Sequence, residues 1–427
     1  MDITTLYTCF LECTGISTDT RKITPGSMFV ALKGDNFDAN IFASEALAKG
    51  AKYAVVDNPT HQASENILLV NNSLETLQQL ARHHRRVLGL PVIGLTGSNG
   101  KTTTKELINA VLSQKYNTKA TVGNLNNHIG VPLTLLTFST ETEIGIVEMG
   151  ANHQKEIELL CSIAEPNFGY ITNFGKAHLE GFGGFEGVIK GKSELYNYLE
   201  TNTKTAFVNL DDPIQAEKTA ALPRFTFAAN SYDGDVRVES IEANPMVSLI
   251  YNNLHIQSNL IGIYNAPNIS AAITIGHYFK VADNQIKAAI EGYVPNNNRS
   301  QLMEVNGNKV ILDAYNANPS SMAAAITNFQ QLDAQHKTAI LGDMFELGPE
   351  SPEEHRKVVE LLSGQGSIEV HFVGKDFYFN KVEKQNLHFH DTFESLKNYL
   401  ENNKRENNTI LIKGSRGMAL ERSLELL

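Results

Sequence analysis

Apolar positions along the chain fall into two alternating periods. From Pro91 onward a short apolar run is followed by a segment of helical period: Val92 to Leu95 then Thr102 to Gln114, Ile144 to Met149 then Gln154 to Ile163, and Phe168 to Asn173 then Phe185 to Leu199. Ala206 to Leu210 closes this run. Regular strand–helix alternation predicts a parallel sheet with helices on both faces and ligands at the carboxyl ends of its strands. The first ~85 residues read as a small α/β unit, with apolar runs Met28 to Leu32 and Tyr53 to Asp57 and a helix-like stretch Ala43 to Lys49. It runs into a helix over Leu74 to Leu88. The basic end of that helix (Arg82, His83, His84, Arg85, Arg86) suits the C-terminal pole of the helix dipole and is expected in solvent, before Gly89 and Pro91.

Residues 235 to 262 change to a period of two (Val236 to Ile241, Val247 to Tyr251, Leu254 to Leu260) with Asn252-Asn253 as a turn, which predicts a small antiparallel patch. Helices over Asn265 to Phe279 and Asn284 to Tyr293 lead to a linker at Pro295 to Asn298. A hairpin turned at Asn306-Gly307 then opens a third strand–helix series: Val310 to Asp313, Ser320 to Leu332, Thr338 to Leu341, Pro352 to Leu362, Val370 to Val373, Phe393 to Asn402 and Thr409 to Ile412. The fold expected is α/β in three domains: a small N-terminal unit over 1–88, a central nucleotide-binding unit over 89–296 with a mostly parallel sheet, and a Rossmann-like unit over 297–427. The length of 427 residues agrees, since ~150 residues per domain gives about three.

Charge narrows the function. Lys and Arg number 36 against 47 Asp and Glu, a net charge of -11, so the overall field repels nucleic acid and anionic membranes. The N-terminus lacks a basic n-region and is interrupted by Asp2 and Glu12, and no stretch reaches the ~18 apolar residues of a membrane span. A cytoplasmic monomer is expected. Cys9, Cys13 and Cys161 are too few for a disulfide framework and read as reduced thiols.

The strongest chemical signal is Thr96-Gly97-Ser98-Asn99-Gly100-Lys101-Thr102-Thr103-Thr104, between a strand and a helix. Glycines let the loop wrap phosphate, amides at a helix N-terminus favour anions, Lys101 neutralises charge, and the Thr102 hydroxyl can reach magnesium. This is an ATP or GTP site. Glu148 ends the next apolar strand, where its carboxylate is a hard oxygen ligand for magnesium. His178 follows the strand after that and reaches the same sheet edge. Lys190 and Lys192 lie in a helical stretch and by charge alone would repel the metal.

Together Thr96 to Thr104, Val147 to His153, His178 to Gly183 and Lys192 resemble the Mur ligase superfamily, over essentially the whole chain. The resemblance implies that Lys192, fourteen residues after His178, is carbamylated by CO2. It would then join Thr102, Glu148 and His178 around two Mg2+ ions. By the same resemblance Gly97, Ser98, Asn99, Gly100, Lys101, Thr102, Thr103, Asn265, Asn268, Arg299, Asp313, Tyr315 and Asn316 contact the nucleotide. Ser17, Asp19, Arg21 and Lys33 resemble a uridine-nucleotide pocket, Asn124, Asn126 and Asn127 a muramoyl-contacting segment, and Asp343 and Arg416 lie in further substrate-side motifs. Two departures stand out: Asn297-Asn298 replaces the usual glycine before Arg299, and Asp38-Ala39-Asn40 replaces a frequent D-G-H.

The sequence Asp313-Ala314-Tyr315-Asn316-Ala317-Asn318-Pro319 is similar to one branch of the superfamily, whose substrates are UDP-N-acetylmuramoyl-tripeptide and D-alanyl-D-alanine. An ATP-dependent amide ligation through an acyl phosphate, in the cytoplasmic stage of peptidoglycan precursor synthesis, is therefore expected. Lys101, Glu148, His178 and Lys192 would be its catalytic residues. Domain closure about hinges near 88 and 296 would exclude water. The alternatives are a sister ligase that adds a single amino acid to a muramoyl peptide or folate, and a nucleotide-binding switch that ligates nothing.

Overall fold

The computed structural model describes residues 1–229, 233–364 and 366–427. Its central sheet has seven strands, all parallel, in the order Val236–Arg237, Arg224–Ala228, Thr205–Asn209, Phe168–Ile171, Val92–Thr96, Ile144–Glu148, Thr118–Ala120. Val92–Thr96 and Ile144–Glu148 are buried at every position, which explains their unbroken apolar reading. The chain builds first to one side of Val92–Thr96 and then to the other. The carboxyl ends of three neighbouring strands thus open at a topological switch point.

Two sequence expectations are corrected here. The parallel run does not close at Leu210, because Arg224–Ala228 and Val236–Arg237 extend the sheet by two strands. The period-two segment beginning at Val236 is therefore split, and the antiparallel patch comprises Glu239–Ala243, Met246–Tyr251 and Leu254–Ile261. Thr118–Ala120 and Leu387–His390 are further strands that the apolar pattern did not mark.

The N-terminal unit carries a parallel sheet ordered Ile16–Ser17, Met28–Val30, Tyr53–Val56, Ile67–Leu69. Its helix Ser73–Leu88 is a tie to the central unit, contrary to the solvated basic end expected from sequence. His84 and Arg85 are buried. Arg85 donates to the carbonyls of Ala164 (3.0 Å) and Glu165 (2.9 Å) and to Asn167 Oδ1 (2.7 Å). It thereby satisfies the carbonyls left open at the end of helix Glu156–Ala164. Cys9, Cys13 and Cys161 are free thiols.

The C-terminal sheet orders Gln301–Val305, Asn308–Asp313, Thr409–Lys413, Lys337–Gly342, Ile368–Val373, Leu387–His390. The expected hairpin is present, with Asn306 (φ 48°) and Gly307 (φ 78°) both left-handed. Away from the central unit, His371 Nδ1 lies 3.1 Å from His390 Nε2, and His371 stacks on His388 with ring centroids 4.9 Å apart. Burial pushes His390 down to about 4, with the neighbouring histidines adding to the shift. The sign follows: below the unfolded-state value of ~6.5 the unfolded chain takes up a proton that folded His390 refuses until about pH 4. Stability is expected to fall by about 3 kcal/mol across that window. Thermal unfolding of the full chain from pH 7 to pH 4 checks this against His390→Asn, and an equal pH slope in both proteins would contradict it.

Candidate active site

The phosphate loop is built by steric exclusion. Gly97 (φ 142°) would place a Cβ 2.0 Å from Thr172 Oγ1, and Gly100 (φ 77°) would place one 2.6 Å from Asn268 Oδ1. Only glycine fits either position. Asn173, from the end of strand Phe168–Ile171, staples the loop: its carbonyl accepts from Ser98 N (3.0 Å), its Oδ1 from Asn99 N (3.1 Å), and its Nδ2 donates to Asn99 O (3.1 Å). Lys101 opens helix Lys101–Leu112, and its Nζ donates to Gly97 O (2.8 Å) and Ser98 O (3.1 Å). Desolvation brings its pKa down to about 8, with the Glu148 carboxylate opposing.

Glu148 is the buried anion opposite this loop. Its Oε1 accepts from Asn126 Nδ2 (2.8 Å) and Thr102 Oγ1 (3.3 Å), whereas Oε2 is buried with no hydrogen-bond partner. A buried carboxylate oxygen left without a donor is costly, and a hard cation is the partner that such an oxygen fits. Lys192 is fully buried in helix Phe185–Thr201, donating to Ala151 O (3.0 Å) with its Nζ 4.9 Å from the Phe182 ring centroid. Burial, with the Lys101 cation nearby, pushes its amine well below the usual lysine range. His178 (φ 54°) bonds through Nδ1 to Glu346 Oε2 of the C-terminal unit. Among the described residues no group of three His, Cys, Asp or Glu is spaced to hold a metal. Glu148 and His178 alone fall short of a full ligand set.

A cleft of about 970 Å³ runs between the central and C-terminal sheets. Ser98, Asn99, Gly100, Lys101, Thr103, Asn124, Asn126, Asn127, Glu148 and His178 line one side of it. Asn265, Asn268, Arg299, Asp313, Tyr315 and Asn316 also line it. Gly97, Thr102 and Lys192 are not part of the lining, although Thr102 bonds to Glu148 and Lys192 to the Ala151 carbonyl, both of which are. On the C-terminal side the Arg299 guanidinium stacks 3.7 Å from the Tyr315 ring centroid. Asp313 is gripped by buried Lys413 (2.6 Å) and by Ser300 N (3.2 Å).

Six of the residues singled out from sequence lie elsewhere. In the N-terminal unit Asp19 caps the short helix Thr20–Lys22 and pairs with exposed Arg21 (2.8 Å), Ser17 bonds to Asp19 O (3.0 Å), and Lys33 pairs with Asp57 (2.7 Å). Asp343 is buried, accepting from the backbone of Asp376 and Phe377 (both 3.0 Å), and exposed Arg416 pairs with Glu421 (3.0 Å). The cleft instead takes Glu346 and Lys413 from the same two motifs, Leu341 to Gly348 and Lys413 to Met418. Lys413 ends strand Thr409–Lys413, so the strand-end rule that found Glu148 would have found it too. Asn173, Tyr264 and Asn318 are among the other lining residues that sequence reasoning passed over.

Comparison with known proteins places this geometry. Residues 12–85 match the Mur ligase family catalytic domain, 95–276 the Mur ligase middle domain, and 298–416 the Mur ligase glutamate ligase domain. The chain is 34% identical to the UDP-N-acetylmuramoyl-tripeptide–D-alanyl-D-alanine ligase of Bacillus subtilis, over 95% of this chain and 91% of that protein. It is 34% identical to the same-named ligase of Escherichia coli, over 96% and 93%. A crystal structure of MurF from Acinetobacter baumannii superposes with a TM-score of 0.86 at 31% identity, covering 99% of this chain and 98% of that one. MurF ligase from Thermotoga maritima, in complex with ADP, gives 0.85 at 27% identity over 98% and 97%. The chain belongs to the Mur ligase family and groups within it with the UDP-N-acetylmuramoyl-tripeptide–D-alanyl-D-alanine ligases.

Proposed function

We propose that this protein is an ATP-dependent ligase that joins D-alanyl-D-alanine to UDP-N-acetylmuramoyl-tripeptide, in the cytoplasm and as a monomer. The observation that carries this reading is a single cleft holding both the phosphate loop and the buried Glu148 carboxylate, in a chain that aligns end to end with ligases named for that reaction. Residues 1–88 would present the uridine nucleotide through Ser17, Asp19, Arg21 and Lys33, residues 89–296 the ATP phosphates, and residues 297–427 the dipeptide and the nucleoside side of ATP.

An amide does not form from a carboxylate and an amine in water unless the carboxylate is activated. In this reading a carboxylate oxygen of the tripeptide attacks the γ-phosphorus and ADP leaves. The dipeptide amine then attacks the acyl carbon, loses a proton and expels phosphate. Lys101 and the loop amides hold the phosphates, while Arg299, fixed against Tyr315, and Asp313, fixed by Lys413, hold the nucleoside. Asn124, Asn126 and Asn127 face the muramoyl group, and Asn126 also orients Glu148. Asp343 and Arg416 lie outside the cleft lining, to which their neighbours Glu346 and Lys413 contribute instead.

Two magnesium ions, when bound, supply charge neutralisation between phosphate and carboxylate. Thr102 would hold one, and Glu148, His178 and Lys192 the other. A buried, neutral Lys192 amine is a nucleophile for CO2: an N–C bond forms, a proton leaves, and a carbamate anion stands where an ammonium would repel metal. The assay is ADP release with Mg2+ and ATP, offering the UDP-muramoyl tripeptide in its lysine and diaminopimelate forms with D-alanyl-D-alanine or with single amino acids. Turnover only with the dipeptide is expected. Turnover with a single amino acid, or ATP hydrolysis indifferent to every acceptor, would overturn the proposal.

A further inference from the structure

His178 and Glu346 meet across the border between the central and C-terminal units, and both are non-glycine residues in the left-handed region, at φ 54° and φ 62°. Such backbone is disfavoured for residues with a Cβ and persists where the surroundings impose it. The surroundings here are each other. His178 Nδ1 contacts Glu346 Oε2, Glu180 N donates to Glu346 O (3.2 Å), and Gly348 (φ 56°) sits where a Cβ would be 3.1 Å from the Glu180 side chain. The Glu346 side chain is about half exposed, and a polar contact so placed adds little to stability. Holding two residues in unfavourable backbone for an exposed pair therefore calls for a reason other than folding.

The chemistry of imidazole supplies one. A ring that donates its Nδ1 proton to a carboxylate is fixed in tautomer and orientation, and its Nε2 keeps the lone pair that a metal ligand needs. We infer that Glu346 is a positioning residue for His178, delivered by the C-terminal unit, so that docking of that unit and completion of the metal site are one event. This inference rests on the proposed role of His178 as a ligand. Other links across the same border include Asn318 Nδ2 to Asn99 Oδ1 (2.7 Å), Lys176 N to Ser320 Oγ (2.9 Å), Lys176 Nζ to Glu354 Oε1 (2.7 Å), Tyr264 Oη with Ser300 Oγ (2.9 Å) and Asn297 Nδ2 to Glu106 Oε2 (3.2 Å). None of these touches a proposed metal ligand, so among the described residues it is Glu346 that would couple closure to metal.

The test is Mn2+ binding to the full chain in the presence of ADP, followed by the electron paramagnetic resonance signal of the free ion. Glu346→Ala is expected to weaken one Mn2+ site by roughly 10- to 100-fold, the effect typical of losing a carboxylate behind a ligating histidine. Glu346→Gln should fall between, because its amide oxygen still accepts the Nδ1 proton but carries no charge. Lys176→Ala, which removes a border contact alone, should leave that site near wild type. Wild-type affinity in Glu346→Ala would overturn the inference. So would tighter binding, which would make Glu346 a competitor for the ring. His178→Ala separates the layers: if it leaves Mn2+ binding intact, the ligand role of His178 fails, whereas loss in His178→Ala with none in Glu346→Ala removes only the coupling.

Discussion

Replacing Lys192 by Ala is expected to reduce ligation by roughly 10³-fold or more while leaving ADP binding within a few-fold of wild type. The two readouts separate because Lys192 is buried outside the cleft lining, whereas the proposed nucleotide contacts are Lys101, the loop amides and the C-terminal wall. In the proposed mechanism this substitution removes the carbamate, an anionic metal ligand, and so weakens the charge stabilisation offered to phosphoryl transfer. That stabilisation is worth several kcal/mol, at about 1.4 kcal/mol for each tenfold in rate. Lys192→Arg sharpens the experiment, since a guanidinium keeps the length and the charge yet is not carbamylated. It should be as inactive as the Ala variant. If Arg supported turnover, a cation would suffice at this position and the carbamate would be excluded. A second readout is carbon-13 resonance from labelled bicarbonate, expected at a carbamate shift in wild type and absent in both variants.

Lys192 also marks where sequence reasoning reaches its limit. Its helix was legible from periodicity, but a lysine on a helix is ordinarily solvated, and only resemblance to a family placed it in the site. The structure adds what neither source held: an amine buried completely, 3.0 Å from the Ala151 carbonyl, with its pKa depressed. The phosphate loop and Glu148 were legible for a different reason. Their chemistry is local, set by glycines and strand ends contiguous in sequence. Thr118–Ala120 escaped because a sheet edge is short and half-exposed, without the apolar run that marks a central strand, and Val236–Arg237 was read into the antiparallel patch because it continues the same two-residue alternation. Arg85 escaped because its partners lie some eighty residues away, and a basic cluster at a helix end reads the same whether it faces water or the carbonyls of another helix.

Glu346 belongs with Arg85. Its motif was recognised, but the residue chosen within it was Asp343, an acidic side chain at a strand end, the usual place for a ligand-binding carboxylate. The structure employs Asp343 to cap Lys375–Phe379, where Gly374 lets the two segments approach. Glu346, three residues further on, is carried to the cleft by the turn.

Gly97→Ala is expected to lower ADP affinity by at least 100-fold with the fold retained. The added methyl would sit 2.0 Å from Thr172 Oγ1 and 2.9 Å from Thr172 N. The hydroxyl has little room to turn aside, since it donates to Asn99 O at 2.6 Å and so helps to hold the loop. Either the loop lifts or Asn99 is released, and both displace the amides that face phosphate. Hydrogen bonds to charged groups contribute about 1.5–3 kcal/mol each, so losing two is about 3–6 kcal/mol, or 10²-fold and upward in affinity. Gly89→Ala is the matched control. Gly89 is also left-handed (φ 64°), at the C-terminus of Ser73–Leu88, but a Cβ there meets nothing within 4 Å. It should cost about 1 kcal/mol of stability, the backbone price alone, and leave calorimetric ADP binding unchanged. Equal losses of affinity in the two variants would trace the effect to general destabilisation, and wild-type affinity in Gly97→Ala would mean that the loop binds phosphate in a different conformation.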